Sequence, residues 1–355
     1  MQFGLHYLMS CPDSQSPEQV YRETIEQALL AEALGFESVW PVEHHFVSGA
    51  SVMPSPMLLL AAIAARTQRL RLGTAIVQLP LNHPLRVAED MATLDVISGG
   101  RVELGVGRGG NAIHYRGFGV DQTDSRERFE EGMTVLRGVC QNPCFTFHGK
   151  YYHVEEASLA PRPVQRPHPR LRVAANSPQT ASWAGREGLP VMFATNVNPL
   201  PLIPKLMGAY QAGRAQAGHA PSTPEDVSLL MPTFVHDDPE QARTLMQPSI
   251  EYFVRLAISV TQAGLERCTT AEERQPLELL LERVRTLTYE VVESKMGLMG
   301  TPERCVHKLQ SLRRELGMGR VITWFNFGGL VPHPAAMRSM ALFSSQVMPH
   351  FQRED

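Results

Sequence analysis

The strongest constraint on this chain is a repeated order of elements. A short apolar stretch is followed by a stretch with helical spacing, and the pair recurs from one end to the other. Strands are expected at Gln2–Tyr7, Phe36–Val42, Leu70–Ile76, Arg101–Val106, Leu171–Ala175, Pro190–Ala194, Val227–Val235 and Val321–Phe325. Helices are expected at Pro17–Leu34, Pro54–Thr67, Leu85–Ile97, Arg126–Cys140, Gln179–Arg186, Leu200–Ala217, over most of Pro239–Leu316, and at Ala335–Met348. The first helix carries clear boundary signals: Ser16 as N-cap, Pro17 in the first turn, and Gly35 at its end. Eight strands, each followed by helix, predict a (β/α)8 TIM barrel, an α/β fold. A doubly wound open sheet shares the alternation, but the count of eight favours the barrel.

The 355 residues exceed the roughly 250 of a plain barrel, so one domain over 1–355 with insertions is expected. Cys144–Val164 reads as a hairpin and a proline-rich surface loop. A second insertion is expected at about Gly264–Met299, with helical breaks near Gly264–Thr270 and Met296–Thr301. The formal charge of −3 excludes the electrostatic footprint of a nucleic-acid or anionic-membrane binder. No apolar run approaches the ~20 residues of a membrane span, and the first residues lack the pattern of a secretory signal. Five scattered cysteines read as free thiols. A cytoplasmic enzyme is the expectation.

In a barrel the chemistry sits on the loops that follow the strands. After the second strand comes Glu43-His44-His45-Phe46, which is acid–base material. In an extended segment Glu43 and His45 share one face and His44 takes the other. Neither His-x-His nor His-Glu-x-x-His occurs, so no metal is expected; chance histidines on a surface loop are the plainer alternative. After the fourth strand, Gly105-Val106-Gly107-Arg108-Gly109-Gly110 fits Gly-x-Gly-x-x-Gly, with Asp124 near the spacing of a ribose-binding acid. The dinucleotide fingerprint also needs a helix that begins at the glycines. Asn111–Gly119 lacks helical apolar spacing, so the next helix is expected near Asp124. What remains is open backbone and one guanidinium, Arg108, suited to a single phosphate or another anion. Arg126 offers a second cation; a pair with Glu130 or a solvated helix face explains it equally. After the fifth strand, Asn176-Ser177-Pro178-Gln179-Thr180 opens a helix, as a simple cap or as an anion site. The stretch from Ala75 to Pro80 is apolar, as a floor for a flat ligand or as core.

Together these segments resemble the bacterial luciferase-like, flavin-dependent monooxygenase family, over nearly the whole chain and most closely its alkanal monooxygenase alpha-type branch. The stretches that carry the likeness are Glu43-His44-His45-Phe46, Gly73-Thr74-Ala75 through Leu79-Pro80, and His83-Pro84-Leu85-Arg86. Ser98-Gly99-Gly100-Arg101, Gly107-Arg108-Gly109 and Phe118-Gly119-Val120-Asp121 with Ser125-Arg126 follow. Ala175-Asn176-Ser177 with Thr180, Gly188-Leu189-Pro190 and Gly300-Thr301-Pro302-Glu303 complete the series.

The resemblance implies a barrel that binds reduced FMN at the strand C-termini. Arg108 and Arg126 would hold the phosphate, with Ala175, Asn176, Ser177 and Thr180 beside it. A non-proline cis peptide under the flavin would fall at Ala75–Ile76. Glu43 and His44 would lie at the reaction centre, with His44 handling protons. There reduced FMN and the co-substrate O2 give a C4a-peroxyflavin that oxygenates a small organic substrate. No site for NAD(P)H is evident, so a separate flavin reductase would supply the reduced FMN. The second insertion would form a lid. The early helices, with Ala61, Ala62, Ala64 and Ala65, would pair in a homodimer or with a related subunit.

The chain departs from luciferase alpha subunits at Gly107, where they have a cysteine, at Asn176, where they have Glu, and at Asn111, where they have an aromatic residue. These departures argue against light emission and a long-chain aldehyde. The alternatives are an F420-dependent oxidoreductase of the same superfamily, or a non-catalytic flavin-binding partner subunit. Leu8, Met9, Phe46, Met53, Val197 and Leu330 are expected near strand ends, in an apolar pocket or in the core.

Overall fold

A computed structural model describes residues 1–266 and 271–351. Among them the strands are β1 (Gln2–Tyr7), β2 (Ser38–Pro41), β3 (Arg71–Gly73), β4 (Val77–Gln78), β5 (Val102–Gly107), β6 (Phe145–His148), β7 (His153–Ala157), β8 (Arg170–Ala174), β9 (Val191–Ala194), β10 (Val227–Val235), β11 (Leu298–Gly300) and β12 (Arg320–Trp324). The helices are α1 (Pro17–Ala33), α2 (Pro56–Ala64), α3 (Pro84–Ser98), α4 (Ala112–Gly117), α5 (Ser125–Gln141), α6 (Pro178–Arg186), α7 (Ile203–Gln216), α8 (Pro239–Leu265), α9 (Ala271–Arg285), α10 (Tyr289–Lys295), α11 (Pro302–Leu316) and α12 (His333–Gln346). No helix among the described residues is long and apolar enough to cross a membrane.

Parallel pairing runs β1–β2–β3–β5–β8–β9–β10–β12, and β12 pairs back onto β1 with Gln2 opposite Arg320. That last pairing closes the ring, so the fold is the (β/α)8 barrel and not an open doubly wound sheet. The sequence signals act where they were read. Ser16 Oγ accepts the Gln19 N–H at 3.1 Å, Pro17 is the first residue of α1, and Gly35 follows its C-cap Leu34 with φ +83°. The insertion after α5 folds as the expected antiparallel hairpin, β6 on β7.

Three expectations are corrected. The third strand does not run unbroken from Leu70 to Ile76; it stops at Gly73 and resumes as β4, with a cis Ala75–Ile76 bond between. The break expected at Met296–Thr301 contains β11, which pairs with the end of β10. The other expected break, at Gly264–Thr270, lies partly outside the described residues. Asn111–Gly119 does contain a helix: Asn111 Oδ1 accepts the Ile113 N–H at 3.1 Å and starts α4. A cap alone nucleates this six-residue turn, which is too short to show a period.

The barrel interior is filled in layers. Trp40 is fully buried across its middle, and only glycine fits beside it: a Cβ at Gly73 would lie 2.2 Å from the indole. Below it, at the N-terminal ends of the strands, Glu103 takes a bidentate grip from Arg320 at 2.7 and 2.9 Å and a third bond from Arg71 at 3.0 Å. Arg172, fully buried, stands 3.6 Å from the same carboxylate. Burial pushes the Glu103 carboxyl up, but the charge and hydrogen bonds of Arg320, with Arg172 and Arg71, outweigh it and hold the group at about 2.

Because the folded value lies below the ordinary 4.5, this carboxylate stabilises the fold above pH 4.5. The contribution, roughly 3 kcal/mol, fades as the pH falls from 4.5 through about 2. Glu103→Gln strands buried guanidinium charge and is expected to lower stability at neutral pH by roughly 3 kcal/mol in urea unfolding, with a flatter acid limb than the wild type. Equal stability of variant and wild type at neutral pH would contradict the role given to this cluster.

Candidate active site

The C-terminal ends of the strands surround a cavity of about 340 Å³. Its walls are mostly apolar, with Ala75, Ile76, Ala174, Met192 and Ala194 on one side and Leu8, Leu230 and Trp324 on the other. Phe253, Leu256, Ala257 and Val260 of α8 also line it. Its polar lining includes His6, Ser10, His44, Asn111, Asn176 and Asn196; no Asp, Glu, Lys or Arg lines it among the described residues. Of the side chains expected in an apolar pocket, Leu8 and Val197 line this cavity. Met9 and Met53 are buried in the core, and Phe46 stands exposed in the left-handed conformation.

The Glu43–Phe46 segment splits as strand alternation requires. His44 faces the cavity, while Glu43 and His45 point behind its wall and bond each other at 3.0 Å. Glu43 is 5% exposed, and its carboxylate is well provided with donors. It accepts the Gln78 backbone N–H at 3.0 Å, the His45 Nε2–H, and Asn82 Nδ2 at 3.0 Å. Gln78 Nε2 donates to the Glu43 carbonyl at 2.8 Å. Gln78 Oε1 in turn sits 3.1 Å from His114 Nδ1, and His114 Nε2 accepts the His45 N–H at 3.2 Å. His114 is therefore the neutral Nδ1–H tautomer, and its ring stands edge-on to His44 at 4.4 Å.

Burial, then the charge of His45, holds His44 down to about 4. Burial with His44 and His45 holds His114 down to about 3. Both rings are neutral at pH 7. His44 Nδ1 is buried without a partner among the described residues, which leaves it for a ligand or a water in the cavity to satisfy. Among the described residues no group of three or more His, Cys, Asp or Glu is arranged as a metal site.

A cationic corner adjoins the cavity. Arg108, just past the end of β5, donates to Ser125 Oγ at 3.3 Å, and burial and the charge of Arg126 pull it below its ordinary pKa. The two guanidiniums are close enough for the charge of Arg126 to disfavour that of Arg108. Arg126 reaches Gln179 Oε1 at 3.5 Å, which ties the start of α5 to the start of α6; it also stands 3.8 Å from Glu130. Ser177 caps α6 by accepting the Thr180 N–H at 3.2 Å, and its hydroxyl donates to Thr180 Oγ1 at 3.0 Å. Asn176 lines the cavity, with its Oδ1 already accepting the Ala194 N–H at 3.2 Å. Ala175 is buried in the outer core, and Ala174 faces the cavity instead. At Gly107, where a cysteine is the family alternative, a Cβ would lie 2.5 Å from Ile76 Cδ1. The segment between the glycines and Asp124 brings in His114, which the sequence reading did not single out; the Asn111 cap three residues before it was the available signal.

The profile of the luciferase-like monooxygenase family matches residues 1–320, and the chain belongs to that family. It is 31% identical over 250 residues to the oxygenase component of flavin-dependent trigonelline monooxygenase from Acinetobacter baylyi, covering 68% of this chain and 67% of that protein. It is 25% identical to the alkanal monooxygenase alpha chain of Photorhabdus laumondii, over 100% of this chain and 99% of that one. Among solved structures, the monooxygenase RslO1 from Streptomyces bottropensis superimposes with a TM-score of 0.84 at 29% identity, over 99% of this chain and 100% of that one.

Histidine spectra of the protein check the electrostatics. The His44 and His114 ring resonances are expected to stay unchanged from about pH 8 to pH 5, with protonation beginning only below that range. A midpoint for either ring between about pH 6 and 7 would contradict the packing described.

Proposed function

We propose that this chain is the oxygenase component of a two-component, FMN-dependent monooxygenase. It takes reduced FMN from a separate flavin reductase and uses O2 to oxygenate a small, mostly apolar organic molecule. The observation that carries the reading is the junction of two features: an apolar cavity with an unsatisfied neutral His44, and the Arg108–Arg126 corner beside the capped start of α6.

The residues fit that cofactor. Arg108 and Arg126 would hold its phosphate, with Ser177 and Thr180 next to them. The cis Ala75–Ile76 segment and Ala174 would back its flat ring system. Bound reduced flavin supplies the electrons that activate O2. His44, neutral and held by the Glu43–Gln78–His114 network, would take or give a proton at its Nδ1. Glu43 acts through that network as a positioning residue. The hydrocarbon walls and the α8 residues over the cavity would keep water from the reacting centre.

The phosphate assignment has a direct test. Arg108→Ala is expected to weaken FMN binding roughly thirtyfold, the loss of one charge-assisted contact. Riboflavin, which lacks the phosphate, should bind the variant and the wild type within about twofold of each other. A parallel loss for both ligands would move the phosphate away from Arg108.

A dimer through the early helices belongs to the same reading. Leu58 on α2 is 74% exposed, and Val96 and Ile97 on α3 are exposed as well. Ala62 and Ala65 continue the same apolar surface, while Ala64 packs inward. Such a patch favours association. Light scattering at roughly micromolar concentration is expected to show a dimer for the wild type and a monomer for Leu58→Asp. A monomeric wild type would contradict this interface.

A further inference from the structure

The cavity has two unlike halves. Ala75, Ile76, Ala174 and Asn176, at the ends of the strands from β3 to β8, adjoin the cationic corner. Across the barrel, His6 lies near the end of β1 and Leu8 follows it, Trp324 ends β12, and Phe253 and Leu256 come down from α8. This second half is aromatic and aliphatic. Trp324 and Phe253 stand edge to face at 6.4 Å, and Phe253 packs on Phe327 at 4.6 Å.

His6 is the titratable group in that half, and only 6% of it is exposed. Its Nδ1 lies 3.0 Å from the Trp40 carbonyl oxygen. A carbonyl only accepts, so Nδ1 carries the proton, and Nε2 of the neutral ring keeps a lone pair. Burial outweighs the Trp40 hydrogen bond and holds the ring down to about 4, so it is neutral in any ordinary buffer. Trp324 stands edge-on to the imidazole at 4.9 Å and 81°, which limits its rotation. Nε2 has no hydrogen-bond partner among the described residues. His6 lines the cavity, whose wall is mostly apolar, so a donor on a bound molecule would satisfy this free acceptor. No charged residue lines the cavity among the described residues, so a cationic or anionic substrate would find no countercharge.

We propose that the half of the cavity between β1 and β12 takes a neutral aromatic substrate bearing a hydroxyl group, which donates its hydrogen bond to His6 Nε2. This rests on the oxygenase reading above and names the substrate class for it. His6 is then the specificity-determining contact. It selects the hydroxylated ring over the bare hydrocarbon and sets which edge of the ring is turned away from Trp324.

The test compares 2-naphthol with naphthalene, two probes that differ only by the hydroxyl. Binding is read by tryptophan fluorescence, and FMN affinity is measured on the same samples. The wild type is expected to bind 2-naphthol about tenfold tighter than naphthalene. His6→Phe, which keeps a flat ring without the acceptor, is expected to bring that ratio close to one and leave naphthalene affinity and FMN affinity unchanged. In wild-type protein with ¹⁵N-labelled histidine, the His6 Nε2 resonance is expected to shift with 2-naphthol and to stay still with naphthalene. Equal affinities in the wild type, a preference that survives His6→Phe, or an unmoved Nε2 resonance would each overturn the proposal. Failure to bind FMN with the naphthol preference intact would instead remove the oxygenase reading alone.

Discussion

The Glu43 carboxylate is the fastening on which the catalytic face depends. Three donors from three places converge on it: the backbone of β4 at Gln78, the ring of His45, and the side chain of Asn82 before α3. Each donor is buried or partly buried, so each would be costly to leave unpaired. The carboxylate thereby joins the end of β2 to the chain that resumes after the cis Ala75–Ile76 bond. Through Gln78 it also fixes His114, and through His114 the ring of His44. Glu43 and His44 are neighbours in sequence yet serve opposite faces of one wall. One holds the wall in place, and the other meets whatever fills the cavity.

The two ends of the barrel divide the work, as the fold allows. The N-terminal end is closed by Glu103 among Arg71, Arg172 and Arg320, under a layer filled by Trp40. There one buried carboxylate is shared by three guanidiniums, Glu37 adds a second carboxylate to Arg320 at 3.1 Å, and the cluster sits at the opposite ends of the strands from the cavity. The C-terminal end carries cationic charge at one side, at Arg108 and Arg126, keeps the Glu43 carboxylate behind the wall, and leaves the cavity lining without formal charge among the described residues. A cofactor with an anionic tail and a flat apolar body matches that division.

Much of this was legible in the sequence. Parallel strands buried on both faces read as apolar runs, and caps such as Ser16 and Ser177 act locally, so the eight strands and most helices could be placed. The alternation rule separated His44 from Glu43 and His45, but no local pattern says which face meets a cavity. What escaped depends on contacts between distant residues. Glu103, Arg172 and Arg320 look like surface charges on a strand until the ring closes and turns them inward. The three residues of β11 are too few to show a period, and α4 follows from one cap rather than from spacing. His6 read only as part of an apolar strand; its role depends on the Trp40 carbonyl, 34 residues away.

In the function proposed, this cavity takes reduced FMN and protects its reaction with O2. Stopped-flow mixing of the protein loaded with reduced FMN against oxygenated buffer tests it without knowledge of the substrate. A two-phase course is expected, in which an absorbing species unlike oxidised flavin forms first and decays slowly, with a faster decay when His44 is replaced by alanine. Single-phase reoxidation at the rate of free flavin, or binding of reduced F420 in place of FMN, would contradict it.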